Sequence, residues 1–172
     1  MYTCSIVHTY SYPVPYIHLT QPYYILPLNI LGMKTACNYL TGTHDFRNFC
    51  KMDIANVSNF IRIIYTCNII LYTENKEYPE YNLYMLEING IAFLWHQIRC
   101  IMAVLLLIGQ NYESPEVILY LLDIEKCIAK PDYNMAGELP LVLHHCGFER
   151  LQVCCADMYA HMYISCVYTI RV

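Results

Sequence analysis

The chain has 172 residues, 57% of them hydrophobic and only 14% charged, with a formal net charge of −4. That is enough chain for one domain with a real core, and too little charge for a disordered tail. The negative balance excludes a global basic field, so any nucleic-acid contact has to come from local Arg and Lys. The longest apolar run, Ile98 to Gly109, contains Arg99 and falls short of the roughly 20 residues that a membrane helix needs, so no membrane partner is expected. A composition this apolar then points to a domain buried against a partner, or to a piece of something larger. The ten cysteines are scattered, with no Cys-x-x-Cys pair and only Cys154 and Cys155 adjacent. They read as reduced, buried small hydrophobes. His144, His145 and Cys146 form the one tight ligand-type cluster, and contiguous strand residues point to alternating faces, so no metal is expected.

Residues 1–22, rich in Tyr, His, Thr and Pro, show no periodicity, and Pro13, Pro15 and Pro22 argue against a helix or a central strand. They read as an extended or disordered leader that is not part of the domain, which runs over 23–150. Met33, Ala36, Cys37 and Leu40 make one helical stripe, and Gly42 sits where a C-cap glycine belongs. A polar loop is expected from Thr43 to Asn59, and a strand dense in Ile and Tyr from Phe60 to Tyr72. The charged turn Glu74 to Glu80 leads to a second strand, Leu83 to Leu94, in which Gly90 marks a bulge or a close backbone approach. Trp95 to Gly109 is apolar on nearly every face after its first turn, which predicts a helix buried on all sides. Ser114-Pro115-Glu116 predicts a helix start with Ser as N-cap and Pro at the first position, the helix running to about Ile124. A third strand is expected from Leu139 to Cys146. From Gln152 onward, in the tail 151–172, the pattern of Cys, Met and Tyr sets no structure. The sum is an α/β (α+β) arrangement, an antiparallel sheet carrying helices on one face.

Arg99 stands out within this layout. In the first turn of a helix the macrodipole already presents positive partial charge, so a cation there is disfavoured and calls for an anion, a carboxylate or a phosphate. A structural acid such as Glu87 or Glu138 would serve. His44, Asp45 and Arg47 fit turn chemistry, whereas Arg47 and Lys51 are also local cations suited to RNA phosphates. Arg62 sits on a strand, where a solvated arginine is equally ordinary.

Two segments carry a resemblance. Gly42-Thr43-His44-Asp45-Phe46-Arg47-Asn48-Phe49-Cys50-Lys51-Met52-Asp53 is similar to a stretch of the eukaryotic TruA-type tRNA pseudouridine synthases, which act on the anticodon stem-loop. Ala92-Phe93-Leu94-Trp95-His96-Gln97-Ile98-Arg99-Cys100-Ile101-Met102, with Leu107-Ile108-Gly109-Gln110, resembles that branch's strand-to-helix motif. Lesser matches at Asn59 to Arg62, Pro115 to Ile118, Ile124 to Lys126 and Leu139 to Leu143 keep the family's order. The resemblance implies the C-terminal half of a pseudouridine synthase core. It implies an isomerase that turns uridine into pseudouridine in tRNA without metal or organic cofactor. It also implies that Arg99 pairs with a catalytic aspartate across the cleft, and that Phe93, His96 and Leu139 line the uracil pocket. As an alternative, Leu139 reads as an ordinary core leucine. Arg47, Lys51 and Arg62 become the expected RNA contacts, and the compartment expected is the nucleus or cytoplasm.

One departure bears on activity. The family's nucleophile lies in an Arg-Thr-Asp-Lys/Arg-Gly-Val type loop. The aspartates of this chain, Asp45, Asp53, Asp123, Asp132 and Asp157, neither follow Arg-Thr nor precede Gly-Val. The pocket tyrosine of the family has no safe counterpart: Thr9 to Tyr12 lies too far upstream, and Pro22 to Pro27 would put proline at its position. The chain is therefore expected to be a truncated, inactive synthase. The other expectation is a non-catalytic RNA-binding or dimerising module, as a homodimer or paired with a full-length enzyme.

Overall fold

A computed structural model describes residues 28–51, 58–79, 82–149 and 161–171. The expected leader, Asp53, Cys154, Cys155 and Asp157 lie outside them.

Helix α1 spans Ile30–Leu40. Asn29 caps it, its side-chain oxygen accepting from the Gly32 amide at 2.8 Å. The stripe Met33, Ala36, Cys37 and Leu40 is buried, as its spacing predicts. After Thr41 the chain turns through Gly42 at φ +117°, a conformation that side chains rarely adopt. Gly42 thus ends the helix, and it also begins strand β1, Gly42–Asp45. The first three residues of the expected loop, with Gly42 before them, therefore form an edge strand, since Gly42 to Asp45 pair with Ile64 to Ile61. A 3₁₀ turn, Arg47–Phe49, follows.

Strand β2, Ile61–Thr73, pairs antiparallel with β3, Leu83–Gly90. A register shift between Ile64 and Thr66 turns Ile64 and Cys67 to the same side, where Ile69, Leu86 and Ile88 join them in the core. The opposite face carries Thr66, Asn68, Glu87 and Asn89, with Asn89 donating to the Thr66 hydroxyl at 2.7 Å. β3 ends at Gly90 rather than Leu94 because the backbone comes too close there. A Cβ on Gly90 would lie 2.6 Å from the Ile63 carbonyl oxygen.

Helix α2, Gln97–Gly109, starts two residues later than its apolar run. Trp95 and His96 belong to the preceding turn, and His96 is held at φ 60°. Ile98, the whole run from Cys100 to Leu105, Ile108 and Gly109 are buried, which makes α2 the centre of the core. Helix α3, Val117–Leu122, begins after a turn in which the amides of Val117 and Ile118 donate to the carbonyls of Ser114 and Pro115. Glu116, not Ser114, stands at its N-cap. The helix stops short of Ile124, where Asp123 turns the chain by accepting from the amides of Glu125 and Lys126.

Strand β4 runs Leu141–Glu149, two residues later than expected at its start because Glu138 to Leu141 closes a turn. β5, His161–Arg171, falls where composition sets no structure. It inserts between β3 and β4, giving an all-antiparallel five-stranded sheet in the order β1-β2-β3-β5-β4. This is a mixed α+β layer in which α1 packs on β2 and α2. Among the described residues Cys37, Cys50, Cys67, Cys100 and Cys127 are buried thiols outside any disulfide, and Cys166 is half-buried. Among the described residues no group of three metal-ligating side chains converges, and no helix is long and apolar enough to cross a membrane.

Candidate active site

The turn from β3 into α2 brings the functional candidates to one edge of the molecule. Leu94 and Gln97 shape it: the buried Gln97 side chain accepts from the Leu94 amide at 2.7 Å, and the Gln97 amide donates to the Leu94 carbonyl at 3.0 Å. That closed turn fixes Trp95 and His96 between two anchored residues. Their rings stack at 4.7 Å with 29° between planes. On the other side, the Lys51 amide donates to the Trp95 carbonyl at 3.1 Å, and its ammonium lies 4.8 Å from the indole centroid.

Arg99 lies in the first turn of α2. Its Nε donates to the Ala136 carbonyl at 2.8 Å, and Nη1 lies 3.3 Å from His96 Nδ1 and 3.2 Å from Glu138 Oε2. The two acids left open by the sequence are thereby separated. Glu87 is on the outer face of β3 opposite Asn68, and Glu138 reaches the guanidinium. The pair is lopsided, with side chains 17% exposed for Arg99 and 77% for Glu138. For His96, burial first, then the charges of Arg99, Lys51 and Lys130, push its pKa below the ordinary value, while Glu138 alone among the main charges pulls it up. A neutral His96 can accept the Arg99 hydrogen bond at Nδ1.

Leu139, next to Glu138 in sequence, is 81% exposed rather than packed in the core of the described residues. Phe93 is half-buried, and its ring edge comes within 3.1 Å of where a Gly90 Cβ would stand, so it packs against the sheet. The remaining cations lie elsewhere or are engaged. Arg47 forms a fork with Asp45, Nε to Oδ1 at 3.0 Å and Nη2 to Oδ2 at 2.7 Å. Burial alone would raise the Asp45 carboxyl, but the guanidinium and the Arg47 amide hold it below its ordinary value. Arg62 folds onto its own backbone, donating to the carbonyls of Asn59 and Ile61. Phe46 is fully buried, and Asn48, also fully buried, donates to the carbonyls of Leu121 at 2.9 Å and Cys127 at 2.8 Å.

Residues 36–149 match the sequence profile of the tRNA pseudouridine synthase family. The chain belongs to that family. It is 48% identical over 130 residues to the human tRNA pseudouridine(38/39) synthase, covering 73% of this chain and 27% of that protein. Against the Saccharomyces cerevisiae tRNA pseudouridine(38/39) synthase it is 44% identical over 125 residues, with 72% and 27% covered. Against the tRNA pseudouridine synthase A of Bacillus velezensis it is 31% identical over 131 residues, with 76% and 47% covered. The chain thus spans about a quarter of the length of its eukaryotic relatives. Within this pseudouridine synthase segment, the stretch from Gly42 to Asp53 divides by role. Gly42, Phe46 and Asn48 build the fold, and Lys51 reaches the Arg99 edge. Sequence reasoning passed over Trp95, and over Lys130, which sits 4.5 Å from the Tyr133 ring centroid and 3.4 Å from Cys100 Sγ. The signal for Trp95 was an exposed-type aromatic immediately before a helix that is otherwise buried.

The lopsided pair sets a stability expectation. Arg99→Leu removes one hydrogen bond to a carbonyl, about 1 kcal/mol, and a largely exposed ion pair, at most about 1 kcal/mol, while relieving some of the dipole clash. A urea melt should show a loss of about 1 to 2 kcal/mol, and Glu138→Gln a loss of less than about 0.5 kcal/mol. A loss above about 3 kcal/mol for Arg99→Leu, rescued by adding Glu138→Gln, would make the pair a structural one.

Proposed function

We propose that this chain forms the arginine-bearing wall of a tRNA pseudouridine synthase site, used on uridines of the anticodon arm. The observation that carries it is Arg99 itself, a half-buried guanidinium at the start of an apolar helix. Its one carboxylate partner among the described residues is the mobile-length side chain of an exposed glutamate. Such an arginine can release Glu138 and take a catalytic aspartate or a phosphate at small cost. In this reading the base meets His96, which touches Arg99, together with Leu139 and Phe93. The reaction asks for a nucleophilic carboxylate, and no aspartate here suits. Asp45 is committed to Arg47 and Asp123 to Lys126, and none has the Arg-Thr-Asp context. The chain on its own is therefore inactive, and the aspartate-bearing loop has to be supplied by other residues. No metal or organic cofactor takes part, and the compartment is wherever tRNA is modified, in the nucleus or cytoplasm.

The missing nucleophile also favours a second reading, a family-derived module that binds RNA or pairs with a full-length enzyme without catalysing anything. One experiment separates the two. Residues 36–149 replace the matching segment of the human tRNA pseudouridine(38/39) synthase, and pseudouridine is measured in a tRNA transcript. The expected result is an active chimera that Arg99→Ala silences, while the 172-residue chain alone stays at background. A chimera that folds and binds tRNA but is inactive supports the module. Activity indifferent to Arg99→Ala overturns the arginine assignment.

A further inference from the structure

Three cations meet around one exposed aromatic pair, in a chain whose net charge is −4. Lys51 holds its ammonium 4.8 Å from the Trp95 ring, Trp95 stacks on His96, and His96 touches Arg99. Lys130 adds its charge from the far side of Cys100, close enough to bear on His96. Among the described residues neither Lys51 nor Lys130 has a carboxylate partner, the ion pairs there being Arg47–Asp45, Arg99–Glu138 and Lys126–Asp123. Trp95 is 53% exposed even though the turn that carries it is anchored on both sides. Trp95 is one of many large apolar side chains left exposed, and among the described residues it is the one of them that carries an ammonium over its ring.

We propose that Lys51, Trp95, His96 and Lys130 form a ledge for single-stranded RNA, on which an unpaired base contacts the Trp95–His96 pair and the flanking phosphates meet Lys51 and Lys130. Aromatic faces interleaved with cations suit unstacked nucleotides, whose bases and phosphates are both accessible. A duplex offers its phosphates but not its base faces. The ledge adjoins Arg99 through His96, so the nucleotide it holds is a neighbour of the one presented to Arg99. The proposal rests on the reading that the chain serves a tRNA-modifying site, and it adds Lys51, Trp95 and Lys130, for which that reading has no role.

Trp95 is the chain's one tryptophan, so its fluorescence reports this site alone. The 172-residue chain is titrated with a single-stranded oligouridylate, with a perfect RNA duplex and with heparin. The single strand is expected to quench Trp95. Trp95→Ala, followed by fluorescence polarisation of labelled RNA, should weaken single-strand binding about tenfold or more, with Trp95→Phe recovering much of it. Heparin affinity should change less than about twofold in the same variant, because removing an uncharged ring leaves the phosphate-type contacts in place. Lys51→Ala and Lys130→Gln should each flatten the slope of log K against log salt by about 0.7. Circular dichroism melts confirm that the variants fold. Absence of single-strand binding, equal quenching by heparin and by RNA, or full affinity in Trp95→Ala would overturn the ledge. None of these outcomes depends on catalysis, so the chimera can fail while the ledge stands, and the reverse.

Discussion

Replacing Asn48 with leucine should destabilise the fold by about 3 kcal/mol or more, since two buried carbonyls lose their only side-chain donor at a typical 1 to 3 kcal/mol each. The Asn48 amide nitrogen bridges Leu121 at the end of α3 and Cys127 in the loop beyond it, which no backbone amide of the 3₁₀ turn does. The residue's own carbonyl accepts from the Tyr133 hydroxyl at 2.7 Å. Burial, then the neighbouring Cys100, Cys50 and Cys127 thiols, push that hydroxyl far above its ordinary pKa, so it stays protonated and keeps donating. Asn48 thus ties the end of α3 and two points of the segment that follows it onto the core. Leucine is close to asparagine in size, so the loss measures hydrogen bonding more than packing. Asn48→Asp should be worse still, because an acceptor-only carboxylate would face two carbonyl oxygens without water. Urea melts of the wild type and both variants give the comparison. A leucine variant within about 1 kcal/mol of wild type would mean that the two carbonyls find other donors, and the bridging role would be withdrawn.

Much of this was legible because it was local. The stripe Met33-Ala36-Cys37-Leu40 follows from periodicity, and the all-round apolar α2 and the strands β2 and β3 from composition, within one element. What stayed hidden depends on partners distant in sequence. β1 is four residues of no particular pattern, made a strand only by Ile61 to Ile64 beside it. β5 carries Cys, Met and Tyr in no clear period, and its place between β3 and β4 is fixed by pairing such as Leu86 with Tyr168 and Leu143 with Cys166. The site divides in the same way. That Arg99 needs an anion follows from its place in a helix, but the choice of Glu138 over Glu87 depends on which face of β3 Glu87 takes. The bridging role of Asn48 was not legible because its acceptors, at Leu121 and Cys127, lie far along the chain. For Arg47 and Arg62 the sequence did not show their intrachain partners, Asp45 for the one and the Asn59 and Ile61 carbonyls for the other.

Gly90→Ala is expected to be nearly as damaging as the change at Asn48, at about 2 to 4 kcal/mol, for a purely steric reason. The added Cβ would stand 2.6 Å from the Ile63 carbonyl oxygen and 3.1 Å from the Phe93 ring edge. The ring can turn aside, but the carbonyl belongs to the backbone of β2, beside the Ile64–Gly90 pair at the register shift. Relief therefore means parting β2 from β3 at the point where the chain leaves the sheet for Trp95 and Arg99. The loss should be accompanied by weaker protection of the amides around Ile64 and Gly90 in hydrogen exchange, with the far end of the ladder near Leu71 and Tyr84 little changed. A second substitution, Phe93→Leu, decides which contact matters. If the backbone clash dominates, Gly90→Ala remains as destabilising in the Phe93→Leu background as in the wild type. If shortening the ring restores most of the stability, Gly90 is kept for the sake of Phe93, and the close approach of the two strands is not what ends β3.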